Sequence, residues 1–212
     1  MNTLNVNLDQ RVRTAPRYKS KSVADYFVGS KLQAWWKPTE EHYNQQTRTI
    51  EKWLKKLNPE SILELGPGFG RISELLDGFS DSEFTLVDIN KQALRVLKKK
   101  FPHRHIVKEE ASKFSFEKNK YNLIVAIELL VHIPDIEDLV EKVQNSLTKD
   151  GIFITSITPD TWYAENWRGI PVTHRGINEK EFEDLISSYF SIVEVNRSDN
   201  NQLVTYLLEK KE

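Results

Sequence analysis

Five short apolar segments alternate with helix-like segments between residues 61 and 157, and this alternation limits the possible folds more than any other feature of the chain. The apolar segments are rich in Ile, Val, Leu and Phe and are mostly apolar on both faces, as buried strands of parallel sheets are. They cover residues 61–66, 83–89, 105–110, 121–130 and 151–157. The alternation predicts a parallel sheet with helices on both faces.

The intervening segments have apolar residues at helical spacing. The leading one, "TEEHYNQQTRTIEKWLKKL", has Thr39 as a candidate N-cap and acidic residues in its first turn. The others cover 70–79, 90–101, 135–147 and 178–190. Two strands at 191–198 and 202–210 follow the last helix, and so short a connection between them predicts an antiparallel hairpin.

Composition excludes several classes of protein. The 212 residues have 39% apolar side chains, 29% charged side chains and a net charge of -1, which fits a folded globular chain without a global preference for nucleic acid or anionic membrane. The absence of Cys excludes disulfides and thiolate metal sites. His103 and His105 have no third ligand near them in sequence, so we predict no metal site.

We expect one domain, residues 1–212, that is a monomer or homodimer. We expect it to be cytoplasmic, since no segment resembles a membrane span or signal peptide. Residues 1–38 form an aromatic and basic N-terminal cap and 39–57 the leading helix. Residues 58–212 form the core, with an insertion at 158–177. Long irregular insertions at a ligand edge are often lids or substrate walls.

The stretch "ILELGPGFGRI" places Gly66, Gly68 and Gly70 directly after the first predicted strand. Ligands of open parallel sheets bind at this edge, and glycine removes the Cβ atoms that would keep a ligand away from the backbone. A dinucleotide fingerprint would need glycine at position 71, which is Arg71, and the P-loop pattern is also absent. The pattern instead favours a ligand that is uncharged at the turn and cationic near Glu64.

"LELGPGFGRI", followed by "LVDIN" and later by "YNLIVAIELLVHIPDIEDLVEKVQNSLTKDGIFITSI", resembles the class I S-adenosylmethionine-dependent methyltransferases. Within them it is similar to the small-molecule branch of the ubiquinone-biosynthesis O-methyltransferase type, over roughly residues 45 to 157. The resemblance implies an α/β, Rossmann-like, mostly parallel seven-stranded sheet of order 3-2-1-4-5-7-6, with an antiparallel last strand. It implies S-adenosyl-L-methionine as cofactor and a small-molecule methyl acceptor.

The resemblance also implies cofactor-binding residues. Glu64 faces the ammonium group of the methionine part, the three glycines surround that part, and Asp88 accepts both ribose hydroxyls. The remaining predicted cofactor contacts come from Ile89, Glu110, Ala111, Ala126 and Ile127. Glu110 is one methylene longer than the Asp usual at its position.

Glu128 and His132 are the polar residues of "AIELLVHIPD", and the resemblance implies that they lie near the transferred methyl group. A histidine can take a proton from a hydroxyl or ammonium nucleophile, although a simple hydrogen bond to a carbonyl explains His132 equally well. Aromatic and basic residues in the cap and the insertion suggest an aromatic substrate pocket with an anionic anchor. They are Trp35, Trp36, Trp162, Tyr163, Trp167, Arg168 and His174.

Three alternatives stay open. The chain could be a non-catalytic cofactor-binding partner or sensor. It could be a protein or RNA methyltransferase, for which the basic residues between Arg11 and Lys21 are the only feature. An NAD(P)-dependent oxidoreductase is disfavoured by Arg71.

Overall fold

The computed structural model describes residues 40–159, 166–167, 170–171, 177–199 and 203–211. Its strands are β1 Ser61–Leu65, β2 Glu83–Asp88, β3 His105–Lys108, β4 Tyr121–Ala126, β5 Leu147–Ile157, β6 Asn166–Trp167, β7 Ile170–Pro171, β8 Phe190–Arg197 and β9 Val204–Lys210. Its α-helices are α1 Glu40–Leu54, α2 Ser73–Leu76, α3 Lys91–Lys100, α4 Ile136–Ser146 and α5 Glu179–Ile186. Short 3₁₀ turns cover Ala111–Lys113 and Leu130–His132.

Seven strands form one sheet in the order β3-β2-β1-β4-β5-β9-β8. Neighbours from β3 to β5 pair in parallel, and β9 pairs antiparallel to both β5 and β8. This is the predicted order 3-2-1-4-5-7-6 with an antiparallel last strand, so the fold-class prediction is confirmed. The carboxyl ends of β1, β2, β4 and β5 therefore meet at one edge of the sheet.

Side-chain caps fix the starts of three helices. Asn90 accepts hydrogen bonds from the amides of Gln92 and Ala93, Asp135 accepts one from Asp138, and Asn178 accepts one from Glu181. These oxygens satisfy amides that have no partner inside the helix. Because Asn90 caps α3, the neighbouring Asp88 is not needed for that role.

Several predicted elements are too long; the helices predicted at 39–57 and 178–190, for example, end at Leu54 and Ile186. The strand predicted at 121–130 ends at Ala126, because Glu128 has a φ of 56° that no β-strand accommodates. The helix predicted at 70–79 shrinks to Ser73–Leu76, and residues 70–72 before it form a turn in which Gly70 has a φ of 89°. A helix of four residues offers no strong N-terminal dipole to a ligand.

Apolar clusters cover both faces of the sheet. One cluster joins α4 and α5 to alternate residues of the strands, including Phe153 and Tyr206. The other joins α1 to the opposite face through Ile50, Trp53 and Leu54, which pack in one cluster with Leu123 of β4. Among the residues that the structure describes, none of the helices is both long and apolar enough to span a membrane.

Candidate functional site

The turn after β1 has a backbone that only glycine adopts readily. Gly66, Gly68 and Gly70 have φ angles of 66°, 55° and 89°. A Cβ atom at position 66 would lie 2.9 Å from Leu129 Cδ1, and one at position 70 would lie 3.0 Å from Phe101 Cε2. A Cβ atom at position 68 would meet no atom of the described residues within 4 Å. Gly66 and Gly70 therefore allow close packing, and only Gly68 faces open space.

Glu64 is a buried carboxyl group below this turn. Its residue is 3% exposed, and Ser73 Oγ donates a hydrogen bond of 2.5 Å to its Oε2. Burial raises the pKa of Glu64 to about 8, although the hydrogen bond from Ser73 and the charge of Arg71 oppose that rise. A buried carboxyl group of this kind gains from a nearby cation, which would favour its ionised form.

Asp88 ends β2 and is tied to the glycine turn. The amide of Gly68 donates to its Oδ2 at 2.9 Å, and the amide of Asn90 donates to its Oδ1 at 2.7 Å. Burial raises the pKa of Asp88, and the backbone hydrogen bonds from Asn90 and Gly68 offset part of that effect. The amide of Ile89 adds a third backbone hydrogen bond. The two carboxylate oxygens offer about four lone-pair sites, so Asp88 can still accept from a ligand hydroxyl group.

Glu128 occupies the turn after β4 in a left-handed conformation, with a φ of 56°. Its amide donates to Ser156 Oγ at 2.8 Å, which fixes the turn to β5. Its side chain is 10% exposed; Tyr43 Oη donates to Oε2 at 3.4 Å, and Arg71 Nη2 lies 3.6 Å from Oε1. Strained backbone that is held by several contacts is typical of functional sites.

Arg71 joins α1 to this turn. Its guanidinium donates to Thr47 Oγ1 at 2.8 Å and to Gln46 Oε1 at 2.7 Å, and it lies 4.9 Å from the centre of the Tyr43 ring. The sequence identified Arg71 only as a missing glycine. The structure makes it the link between the leading helix and Glu128.

His132 and the end of β4 lie at the same edge. His132 ends the 3₁₀ turn that follows Glu128, and its amide donates to Leu129 O at 2.9 Å. Ala126 is fully buried, and its carbonyl accepts a hydrogen bond from Thr155 Oγ1 at 2.9 Å. Ile127 is partly buried against the cluster that contains α1. The structure thus groups Ala126, Ile127, Glu128 and His132 at the carboxyl end of β4, and their roles there stay predictions.

The predicted adenine side of the site has its own hydrogen bonds. Ser112 Oγ donates to Glu110 Oε1 at 2.9 Å, and Lys113 Nζ donates to Oε2 at 2.6 Å. Desolvation acts against ionisation of Glu110, but the hydrogen bonds from Lys113 and Ser112 outweigh it and lower its pKa. Ala111 is buried and Ile89 is partly buried. A contact from Glu110 to an adenine amino group would compete with these local partners and stays a prediction.

Residues 63–155 match the family model described as a methyltransferase domain. Over this range the chain is similar to methyltransferase domains. Such domains use S-adenosylmethionine, the cofactor that the sequence predicts. The matched range contains the glycine turn, Asp88 and the turn of Glu128.

Solved structures share the fold of this methyltransferase domain. Magnesium protoporphyrin IX methyltransferase from Synechocystis, crystallised with S-adenosylhomocysteine, is 13% identical, with a TM-score of 0.68 over 89% of this chain and 98% of that chain. The N-methyltransferase NodS from Bradyrhizobium japonicum, crystallised with the same compound, is 15% identical, with a TM-score of 0.65 over 89% and 96%.

Curated relatives of the methyltransferase domain include ribosomal protein L11 methyltransferases. The protein from Staphylococcus saprophyticus is 26% identical over 168 residues, which is 72% of this chain and 44% of the relative. The protein from Staphylococcus epidermidis is 30% identical over 113 residues, which is 51% of this chain and 35% of the relative. The chain thus spans less than half the length of these relatives.

The predicted substrate residues Trp35, Trp36, Trp162, Tyr163, Arg168 and His174 lie outside the described residues. Trp167 belongs to β6, which pairs with β7 through Trp167 and Ile170, but its side chain is not described. Among the described parts of the chain, no cluster of three or more His, Asp or Glu side chains could hold a metal ion. The substrate roles of the aromatic residues therefore stay predictions.

Sequence reasoning missed the contacts that α1 brings to this edge. Tyr43, Gln46 and Thr47 all touch Arg71, and Gln46 Nε2 also donates to Thr205 Oγ1 at 3.2 Å. The signal was present in the sequence as three polar residues on the first half of an amphipathic helix. The sequence did not show which residues these side chains contact, because the partners are 24 or more residues away.

Proposed function

We propose that this chain is an S-adenosylmethionine-dependent methyltransferase that transfers a methyl group to oxygen or nitrogen of a small-molecule metabolite. The observation that carries the proposal is the open space at Gly68, whose amide donates to the buried Asp88 and which follows the buried Glu64 by four residues. A sulfonium nucleoside has an ammonium group and two ribose hydroxyls, which are the groups that these two acids suit.

The residues present fit this cofactor. A buried Glu64 with a raised pKa gains from the ammonium group, and the bare backbone at Gly68 permits close approach. Asp88 holds the Gly68 amide in place and keeps lone pairs for the ribose hydroxyls. We propose that Ile89 and Ala111 pack against the adenine and that Ala126 and Ile127 border the reacting edge.

When bound, S-adenosylmethionine supplies an electrophilic methyl group. The protein must align the acceptor, exclude water and remove a proton where the acceptor has one. The Glu128 carboxylate and the His132 imidazole are the proposed proton acceptors at this edge. Tyr43 and Arg71 hold the Glu128 side chain, which reduces the reorganisation needed during the reaction.

A second candidate is methylation of a protein. The curated relatives favour it, since they are ribosomal protein L11 methyltransferases. They match this chain over less than half of their length, so the segments that recognise their own substrate need not have a counterpart here. Both candidates use the same cofactor site and differ in the acceptor.

The test combines binding with acceptor identification. Calorimetric titration with S-adenosylhomocysteine should show saturable binding at one site per chain. The protein is then incubated with S-adenosylmethionine labelled on the methyl group and with a deproteinised small-molecule extract or a dialysed protein fraction. Label in the small-molecule fraction supports the proposal, and label only in protein supports the second candidate. Binding without any transfer would indicate a non-catalytic sensor.

Asp88→Ala should weaken binding of S-adenosylhomocysteine by about 1 to 3 kcal/mol, because charged hydrogen bonds to the ribose are lost. The same titration checks this, with exposed Asp81→Ala as the matched control that leaves affinity unchanged. Unaltered affinity in Asp88→Ala would mean that the ribose lies elsewhere.

A further inference from the structure

The first turns of α1 lie at the reacting edge of the sheet. Tyr43 Oη reaches Glu128 Oε2 at 3.4 Å, and Gln46 Nε2 reaches Thr205 Oγ1 at 3.2 Å. Thr205 is the register partner of Ser156 in β5, and Ser156 Oγ accepts the hydrogen bond from the Glu128 amide. The start of α1 is thereby tied to both β5 and the turn after β4.

His42 lies on the buried side of this part of α1. It is 6% exposed and precedes Gln46 by four residues, so the two side chains follow each other along one stripe of the helix. Its Nδ1 is buried and has no hydrogen-bond partner among the described residues. The imidazole therefore brings an unsatisfied polar atom into the region that Tyr43 and Gln46 connect to the sheet.

Thr158 presents a second such atom at the same edge. It follows β5 directly, two residues beyond Ser156, and it is 6% exposed. Its carbonyl accepts a hydrogen bond from the amide of Ile177, but its Oγ1 is buried without a partner in the described part of the chain. Buried polar atoms without partners are rare in folded proteins, because each loses its hydrogen bonds to water.

The other atoms of this kind lie away from the edge. Trp53 Nε1 belongs to the last turn of α1, inside the apolar cluster, and Ser61 Oγ starts β1 at the opposite end of the sheet. The first turn of α1 contains the acidic residue Glu41 next to His42, and Arg71 lies 3.6 Å from Glu128. The region around His42 thus favours an uncharged polar group over an anion.

We propose that His42 and Thr158 form an acceptor subsite that hydrogen-bonds an uncharged hydroxyl or amine group of the methyl acceptor. This inference rests on the proposed function and extends it, since it assigns acceptor contacts to α1 and to the end of β5. His42 is then a residue that determines specificity. Its neutral imidazole can donate or accept at Nδ1 according to its tautomer, and Thr158 Oγ1 can do either.

The test uses variants that remove the polar atoms without changing size greatly. His42→Phe and Thr158→Val should lower the initial rate of label transfer at limiting small-molecule extract by at least about 10-fold, because hydrogen bonds to the acceptor are lost. Their affinity for S-adenosylhomocysteine should stay within about twofold, because the cofactor residues are untouched. His42→Asn, which keeps a polar atom near the position of Nδ1, should restore part of the rate.

Stability separates a subsite from a structural role. Thr158→Val and His42→Phe should melt at or above the wild-type temperature, because neither removes a hydrogen bond within the protein. Thr205→Val is the matched control: it removes the hydroxyl that Gln46 binds and should lower the melting temperature. Exposed His103→Phe should leave the transfer rate unchanged.

The outcomes distinguish the two proposals. If the wild type transfers label and both variants transfer it at the same rate, the subsite is wrong and the proposed function stands. If Thr158→Val and His42→Phe lose as much stability as Thr205→Val, the two groups have structural partners and the subsite is again wrong. If the wild type binds S-adenosylhomocysteine and transfers no label, the proposed function fails and the subsite fails with it.

Discussion

At the scale of single residues, the site is defined by carboxyl groups in unusual surroundings. The positions of Glu64 and Asp88 at this edge were predictable from the sequence, because Glu64 lies in the strand before the glycines and Asp88 ends the next strand. The backbone conformation of Glu128 was not predictable, since nothing in its neighbouring residues requires the positive φ that it adopts. That conformation depends on the contact with Ser156, 28 residues later.

Glu64 should make the protein less stable as the pH rises. Its pKa is about 8 in the folded protein against an ordinary value of 4.5, so the folded state binds the extra proton between these values. The free energy of unfolding should therefore be highest below pH 4.5 for this group and fall as the pH rises through 8, by up to roughly 5 kcal/mol. Urea denaturation at a series of pH values measures this slope.

Glu64→Gln keeps the size and the hydrogen bond from Ser73 but has no proton to lose. The slope between the two pKa values should largely disappear, and the variant should exceed the wild type in stability at high pH. Exposed Glu60→Gln is the control that keeps the slope. A slope that survives in Glu64→Gln would show that another group causes it.

At the scale of elements, the turns that connect helices and strands account for the differences between the predicted and the observed elements. The sequence indicated where strands begin, because apolar runs follow polar loops. It overestimated β4 and α2, whose ends depend on positive φ angles at Glu128 and Gly70. Local apolar spacing continues past both ends, so periodicity alone could not detect them.

Alanine substitutions at Gly68 and Gly70 should separate the packing role of the glycine turn from its binding role. Gly68→Ala should cost about 1 kcal/mol in stability from left-handed strain, since its Cβ meets no neighbour, but it should lower the affinity for S-adenosylhomocysteine. Gly70→Ala should cost more stability, because its Cβ would also crowd Phe101 and Leu97. Urea denaturation and calorimetry on both variants measure these effects. Wild-type affinity in Gly68→Ala would place the cofactor elsewhere.

Arg71 should control how firmly the first half of α1 docks. Arg71→Met removes the hydrogen bonds to Gln46 and Thr47 and the ion pair with Glu128, so amide hydrogen exchange in residues 40–47 should accelerate. Stability should fall by about 1 to 3 kcal/mol, because Gln46 is buried and loses a partner. Exposed Arg95→Met is the control. Unchanged exchange at 40–47 would mean that apolar packing alone holds the helix.

At the scale of the whole molecule, the strand order followed from sequence because few topologies are compatible with alternating strands and helices. The final hairpin was predictable from its short connection, and the structure pairs β8 with β9 in antiparallel register. The tie between α1 and the far strand β9 was not predictable, because a helix that precedes the sheet in sequence can cover several positions on it. The hydrogen bond from Gln46 to Thr205 is one of the contacts that fix that position.

The described residues should unfold as one unit. The two apolar clusters lie on opposite faces of the same strands, so neither can lose its packing without exposing the other. Urea transitions followed by far-ultraviolet circular dichroism and by tryptophan fluorescence should therefore coincide. S-adenosylhomocysteine at 100 times its dissociation constant should shift both transitions together, by about 2.7 kcal/mol, since it binds only the folded state. Two separated transitions, or a ligand shift in only one of them, would show that the chain contains independently folding parts.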